Sequence, residues 1–283
     1  MASRLLARVV LFGLFSFGLS VVVRAAENRT ASKLLDIDVR AAGFGNVSSA
    51  DITAVLESVT NEIWRHCPTA RLSGIDVYHR SDHPQTNFER QPNGHVAIGL
   101  TAKNTYWAQY SFQFAHEFCH ALANFANNPQ RLVRYRKHAN FWLEESLCET
   151  ASLFTLRAMS RSWRTAHPNS AWRAYAPWLN AYVTQRLELP KHQLPAGTPF
   201  LLWFKETEPA LRLNPAIRDR NTIIATHLLP LFEAEPRGWE ALIFLNRGFP
   251  HTNGSLEQRL AQWRSRCPEQ LRPFLSRLAA NSQ

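Results

Sequence analysis

His116-Glu117-Phe118-Cys119-His120, and then, after a break, Phe141-Trp142-Leu143-Glu144-Glu145-Ser146-Leu147-Cys148-Glu149, form the stretch on which the reading of this chain turns. On a helix, residues four apart share a face, so His116 and His120 can hold one metal ion between their imidazoles. Glu117 lies one position round, within reach of a water at that site without itself being a ligand. Three protein ligands and one open position is the arrangement of catalytic rather than structural zinc. Glu145, 25 residues beyond His120, is the donor expected to complete the set. The bland alternative is a helix with two incidental histidines, and the glutamate-bearing second segment argues against it.

The flanking residues add an energetic argument. Residues 106–126 are apolar nearly all round, with Tyr106, Trp107, Tyr110, Phe112, Phe114, Phe118, Leu122 and Phe125. The spacing predicts a central, buried helix from about Thr105 to just before Asn127-Asn128-Pro129. Two histidines and a glutamate inside such a helix are costly without partners, and a metal would supply them.

The same residues resemble the gluzincin metallopeptidases, the group of thermolysin and aminopeptidase N. Their pattern is His-Glu-x-x-His on one helix and a ligand glutamate on the next, often Trp-Leu-Asn-Glu-Gly in the aminopeptidases. Trp142-Leu143-Glu144-Glu145-Ser146 is similar to the second part, with Glu145 on the ligand glutamate and Glu144 on the asparagine. Glu149, one turn further, falls on the acid that supports the first histidine. Two departures stand out. Glu144 in place of Asn leaves a choice of ligand between neighbours. The Gly-x-Met-x-Asn segment that holds a substrate amino terminus is absent, the only methionines being Met1 and Met159. The resemblance implies Zn2+, a peptide or protein substrate and Glu117 as general base. It covers some 35 residues and says little about specificity.

Upstream of the helix, Leu34–Val39 reads as a strand, followed by the Gly43-Phe44-Gly45-Asn46 turn. Ser49 or Asp51 can cap a helix carrying Ile52, Val55, Leu56, Val59, Ile63 and Trp64, which Pro68 ends. Residues 74–79 alternate like a strand, and residues 95–100 give a second. Between them, residues 80–94 are polar, with Pro84, Pro92 and Asn93-Gly94, and read as a surface loop. His79, His83 and His95 flank that loop without carboxylate or thiol companions at ligand spacing, which argues against a second metal site. In the zincin group an edge strand placed like 95–100 borders the cleft and pairs with an extended substrate; the competing reading is an interior strand.

Residues 1–25 read as a signal peptide, or alternatively an uncleaved anchor: Arg4 and Arg8 precede the apolar run Val9 to Val23, and Val23-Arg24-Ala25 offers a cleavage site. That run is short for a membrane span. The formal charge is +10, and removal of Arg4, Arg8 and Arg24 leaves about +7 on the mature chain. No nucleic-acid motif accompanies this charge; a solvated basic face is the simplest reading, with contact to an anionic envelope or membrane surface as the alternative. Asn28, Asn46 and Asn253 fit the glycosylation pattern, which matters only in a eukaryotic secretory pathway. The four cysteines permit three pairings, and the expectation is Cys119–Cys148 with Cys67–Cys267, in the oxidising surroundings of an exported protein.

Asn140 can cap the second metal-bearing helix, which continues to about Met159, after a basic link at 130–138. Beyond it, helices are expected around 170–186, 197–206, 220–233, 237–246 and 256–279. Tyr135, Tyr175, Tyr182, His192 and His227 are candidates to stabilise an oxyanion from this wall. The expectation is therefore an α+β protein. A zincin-like core occupies 26–160 and a helical subdomain 161–283, forming a secreted or periplasmic zinc hydrolase, most readily a peptidase. The rival readings are a catalytically silent zinc protein and a glycan- or envelope-binding module that works through exposed tryptophans.

Overall fold

The computed structural model describes residues 35–126, 138–247 and 254–281. The segment 1–25 expected to be a signal peptide or anchor, Tyr135 with residues 130–137 of the expected basic link at 130–138, and Asn28 and Asn253 of the glycosylation pattern lie outside the described residues. Within the described part no helix is long and apolar enough to cross a membrane.

The architecture is mixed α+β: one four-stranded sheet and eight α-helices among the described residues, the C-terminal half being helical. Strand β1 (Ile37–Val39) leads into α1 (Ser49–Trp64), whose first turn is capped by Ser48, one residue before the expected cap, through its hydroxyl to the Asp51 N–H at 3.0 Å. Ile52, Val55, Leu56, Val59 and Ile63 form its buried stripe. Strands β2 (Ile75–His79), β3 (Gln85–Arg90) and β4 (Val96–Leu100) complete the sheet in the order β1-β2-β4-β3, with β3 antiparallel to β4 and the other pairs parallel.

Two expectations are corrected here. The 80–94 segment is not all loop, since β3 runs through it. Strand β4 is interior, paired on both sides, and β3 takes the edge. The reason is compositional. Val96-Ala97-Ile98-Gly99-Leu100 is apolar at every position and buried along its length, as a doubly paired strand requires. Gln85-Thr86-Asn87-Phe88-Glu89-Arg90 is polar, suits an edge, and carries a register irregularity between Thr86 and Arg90.

Helix α2 (Trp107–Phe125) packs against the sheet, α1 and α3 (Phe141–Ser162). Asn140 sits at the N-cap of α3, but its side chain does not cap the helix. Its amide donates to the Gly254 carbonyl at 2.8 Å and accepts from Arg212 at 2.9 Å, so it joins α3 to the C-terminal region instead. The other face of α3 is covered by α4 (Ala176–Glu188) and α6 (Arg218–Ala234), with α5 (Phe200–Leu213) beyond. Pro236–Phe244 is a 3-10 segment, and the expected 256–279 helix is two, α7 (Leu256–Arg266) and α8 (Arg272–Asn281), divided at Cys267-Pro268. One continuous apolar core runs from the sheet through α2 and α3 to α8.

Candidate functional site

Two helical patterns locate the site before any chemistry is considered. On α2, Gln109, Phe112, Gln113 and His116 are half-buried while the rest of the helix is buried, and their spacing places them on one stripe. On α3, Glu145 alone is half-exposed between Phe141 and Leu156. Both stripes face the same cleft of about 600 Å3, whose other walls are β3 and the start of α6.

In that cleft the helix register brings His116, His120 and Glu145 together. Oε2 of Glu145 lies 3.4 Å from Nε2 of His116, and Oε1 lies 3.6 Å from Nε2 of His120. The imidazole ring centroids are 5.1 Å apart. Each histidine is backed on its other nitrogen by a glutamate. His120 Nδ1 is 2.8 Å from Glu144 Oε1, and His116 Nδ1 is 3.8 Å from Glu149 Oε2. A donated Nδ1–H leaves the Nε2 lone pair of His120 directed at the cleft, the tautomer a metal ligand needs. Orientation separates the two neighbours: Glu145 faces both Nε2 atoms and Glu144 stands behind His120.

Both backing glutamates are themselves held. Glu149 Oε1 accepts from Arg186 at 2.9 and 2.7 Å and from Thr222 at 2.8 Å. Glu144 accepts from Asn124 and from Asn246, each at 2.7 Å, and Asn246 accepts in turn from Arg259 at 2.6 Å. Glu117 is buried at the cleft wall. The Thr86 hydroxyl lies 2.8 Å from both its carbonyl oxygen and its Oε2, leaving Oε1 for other partners. Of these supports, only Asn124 left a sequence signal, one turn past His120 on the same face. Thr86, Arg186, Asn246 and Arg259 come from distant segments with no spacing to read.

Negative charge concentrates around the two imidazoles. Burial opposes a charge on His120, yet Glu145, then Glu144 and Glu117, push its imidazole up to about 10. Burial likewise opposes ionisation of Glu145 and Glu144, but their histidine neighbours hold both carboxyls below the usual range. The Nε2 atoms of the two imidazoles and the Glu145 carboxylate converge on one side, a nitrogen and oxygen donor set that could hold a divalent ion. Cys148 also comes within 4.8 Å of donor atoms of His116 and His120. Burial, then its neighbour Cys119, pushes that thiol well above its ordinary value in the metal-free protein, so Cys148 stands beside Glu145 as a second possible third donor.

All four cysteines are free thiols, so neither expected disulfide is formed, although Cys119 and Cys148 are side by side across the α2–α3 packing. Tyr182 lines the cleft. The Tyr175 hydroxyl accepts from the Ala108 N–H at 3.2 Å, His192 is engaged by the Arg186 carbonyl and Asp219, and His227 stacks on Phe200 at 3.7 Å. His95 pairs with Asp76 at 2.7 Å, and His83 sits beside Asp82 at the cleft mouth. Compared with protein families, curated proteins and solved structures, the chain matches none.

Proposed function

We propose that the protein is a zinc-dependent hydrolase of gluzincin type, with a zincin-like core, acting on peptide bonds. The observation that carries this reading is the convergence of His116 Nε2, His120 Nε2 and both oxygens of Glu145, with Glu117 at the same cleft wall. His116, His120 and Glu145 would hold the ion, and Glu149 and Glu144 would fix the two imidazoles. Zinc, when bound, supplies a polarised carbonyl and a water of lowered pKa.

The chain's own residues carry the rest. Glu117 accepts a proton from the attacking water and delivers it to the leaving amine, which requires its free oxygen to face the reaction centre. Thr86 fixes that orientation from the edge strand. Strand β3 borders the cleft at Gln85, Thr86 and Phe88 and is the edge of the sheet among the described residues, so its main-chain groups can align an extended peptide. Tyr182 is the candidate from the helical wall that lines the cleft.

Of the rival readings, the tryptophan-based binding module loses support. Seven of the nine tryptophans are buried, Trp64 is half-buried, and Trp178 alone is exposed. The test is metal analysis of the purified chain together with a peptide-library digest. One equivalent of zinc and cleavage that disappears in Glu117→Gln, with zinc retained, is the expected result. Zinc without turnover would make this a silent zinc protein, and no zinc would end the reading.

A further inference from the structure

Arg218 is a cation of the cleft whose guanidinium makes no hydrogen bond or ion pair among the described residues. The cleft lining contains two arginines. Arg186 donates twice to Glu149 and lies 4.5 Å over the Phe112 ring. Arg218 is exposed, and among the described residues its charge acts on Glu145 without a direct hydrogen bond or ion pair. The acid beside it is taken by others: Asp219 pairs with Lys191 at 2.9 Å and His192 at 3.1 Å. Asp82, at the opposite wall, is held by Arg80 at 2.9 and 2.6 Å.

Its position argues against an idle surface charge. Arg218 is the first residue of α6, a 17-residue helix with no side-chain cap, so a cation stands where the helix dipole disfavours one. A residue that breaks a local rule at a cleft wall is expected to answer to a ligand. An anion placed there would meet the guanidinium and the positive end of α6 together. Arg218 is also close enough for its charge to act on Glu145.

We propose that Arg218 recognises a carboxylate of the substrate, either the free C-terminus of a peptide or an acidic side chain beside the reacting bond. This rests on the hydrolase reading and narrows its substrate class. A planar guanidinium matches a carboxylate with two parallel hydrogen bonds, a geometry that lysine reproduces only as a point charge.

The test is calorimetric binding to the full chain with one equivalent of zinc added, carrying Glu117→Gln to prevent turnover. Three probes are used: acetyl-Leu-Leu as the free acid, its C-terminal amide, and acetyl-Leu-Glu amide. One of the two acids should bind about ten-fold or more tightly than the Leu-Leu amide, and which one does so identifies the source of the carboxylate. Arg218→Met should bring that ratio close to one and Arg218→Lys should keep part of it, with unchanged zinc content and melting temperature showing that the fold is intact. Equal binding of acids and amide, no binding of any probe, or a ratio preserved in Arg218→Met would overturn the proposal. The hydrolase reading fails separately. It falls if the unmutated chain cleaves no library peptide even though the acids are preferred, and it stands if acids and amides are cleaved alike.

Discussion

At the scale of single residues, Glu144 and Glu145 are neighbours in sequence and opposites in role. Glu145 sits at the open face, where its oxygens meet both Nε2 atoms, while Glu144 is enclosed by His120, Asn124 and Asn246. Two measurements should therefore rank them in opposite orders. Glu145→Ala should lose zinc affinity beyond the roughly 10–100-fold expected for Glu144→Ala, because a ligand counts for more than its support. In the metal-free protein, Glu144→Ala should be the more destabilising, by about 3–5 kcal/mol, since it leaves a buried imidazole and two amides without their acceptor. A zinc titration and denaturant melts in chelator decide both, and a shared order would mean that the register is misassigned. Thr86 belongs to the same scale. Thr86→Val keeps the shape and removes the hydroxyl that fixes Glu117, so turnover should fall about ten-fold with KM and zinc content unchanged, and Thr86→Ser should restore it.

Among elements, the two helices that bear the site were legible because a 3.6-residue period and a four-residue histidine spacing are local properties. The same locality explains why β3 was not. A polar edge strand such as Gln85–Arg90 has no alternation to read, and its existence depends on β4 offering a partner. Strand β4 is legible as a strand, but its interior place is not, since neighbours across a sheet are not written in the strand's own residues. The Asn246–Arg259 support for Glu144 was invisible for the same reason, being 102 residues from Glu144 in the chain. It makes the C-terminal helices part of the site. Asn246→Ala should cost about 1–3 kcal/mol through the unpaired Glu144 and Arg259 groups, and it should weaken zinc binding without touching a ligand. Unchanged zinc affinity in that variant would mean that the network is only structural.

For the whole molecule, α2 and α3 are the shared wall between the sheet and the C-terminal helices, so an ion held between them ties both halves of the core. At 100 times its dissociation constant, a ligand of the folded state adds about 2.7 kcal/mol, which for a chain of this size raises Tm by roughly 5–11 °C. The gain should depend on pH in a direction fixed by His120. Its folded pKa is raised to about 10, above the ordinary 6.5. The protonated imidazole and its carboxylates therefore stabilise the metal-free fold fully below about 6.5, and that contribution is lost as pH rises through about 10. Zinc must displace this proton, so it competes less well at pH 6 than at pH 9. The difference in Tm between zinc-loaded and chelator-treated protein should grow across that interval and vanish in His120→Ala. A difference that stays flat or shrinks with rising pH would show that the ion is not held by this imidazole.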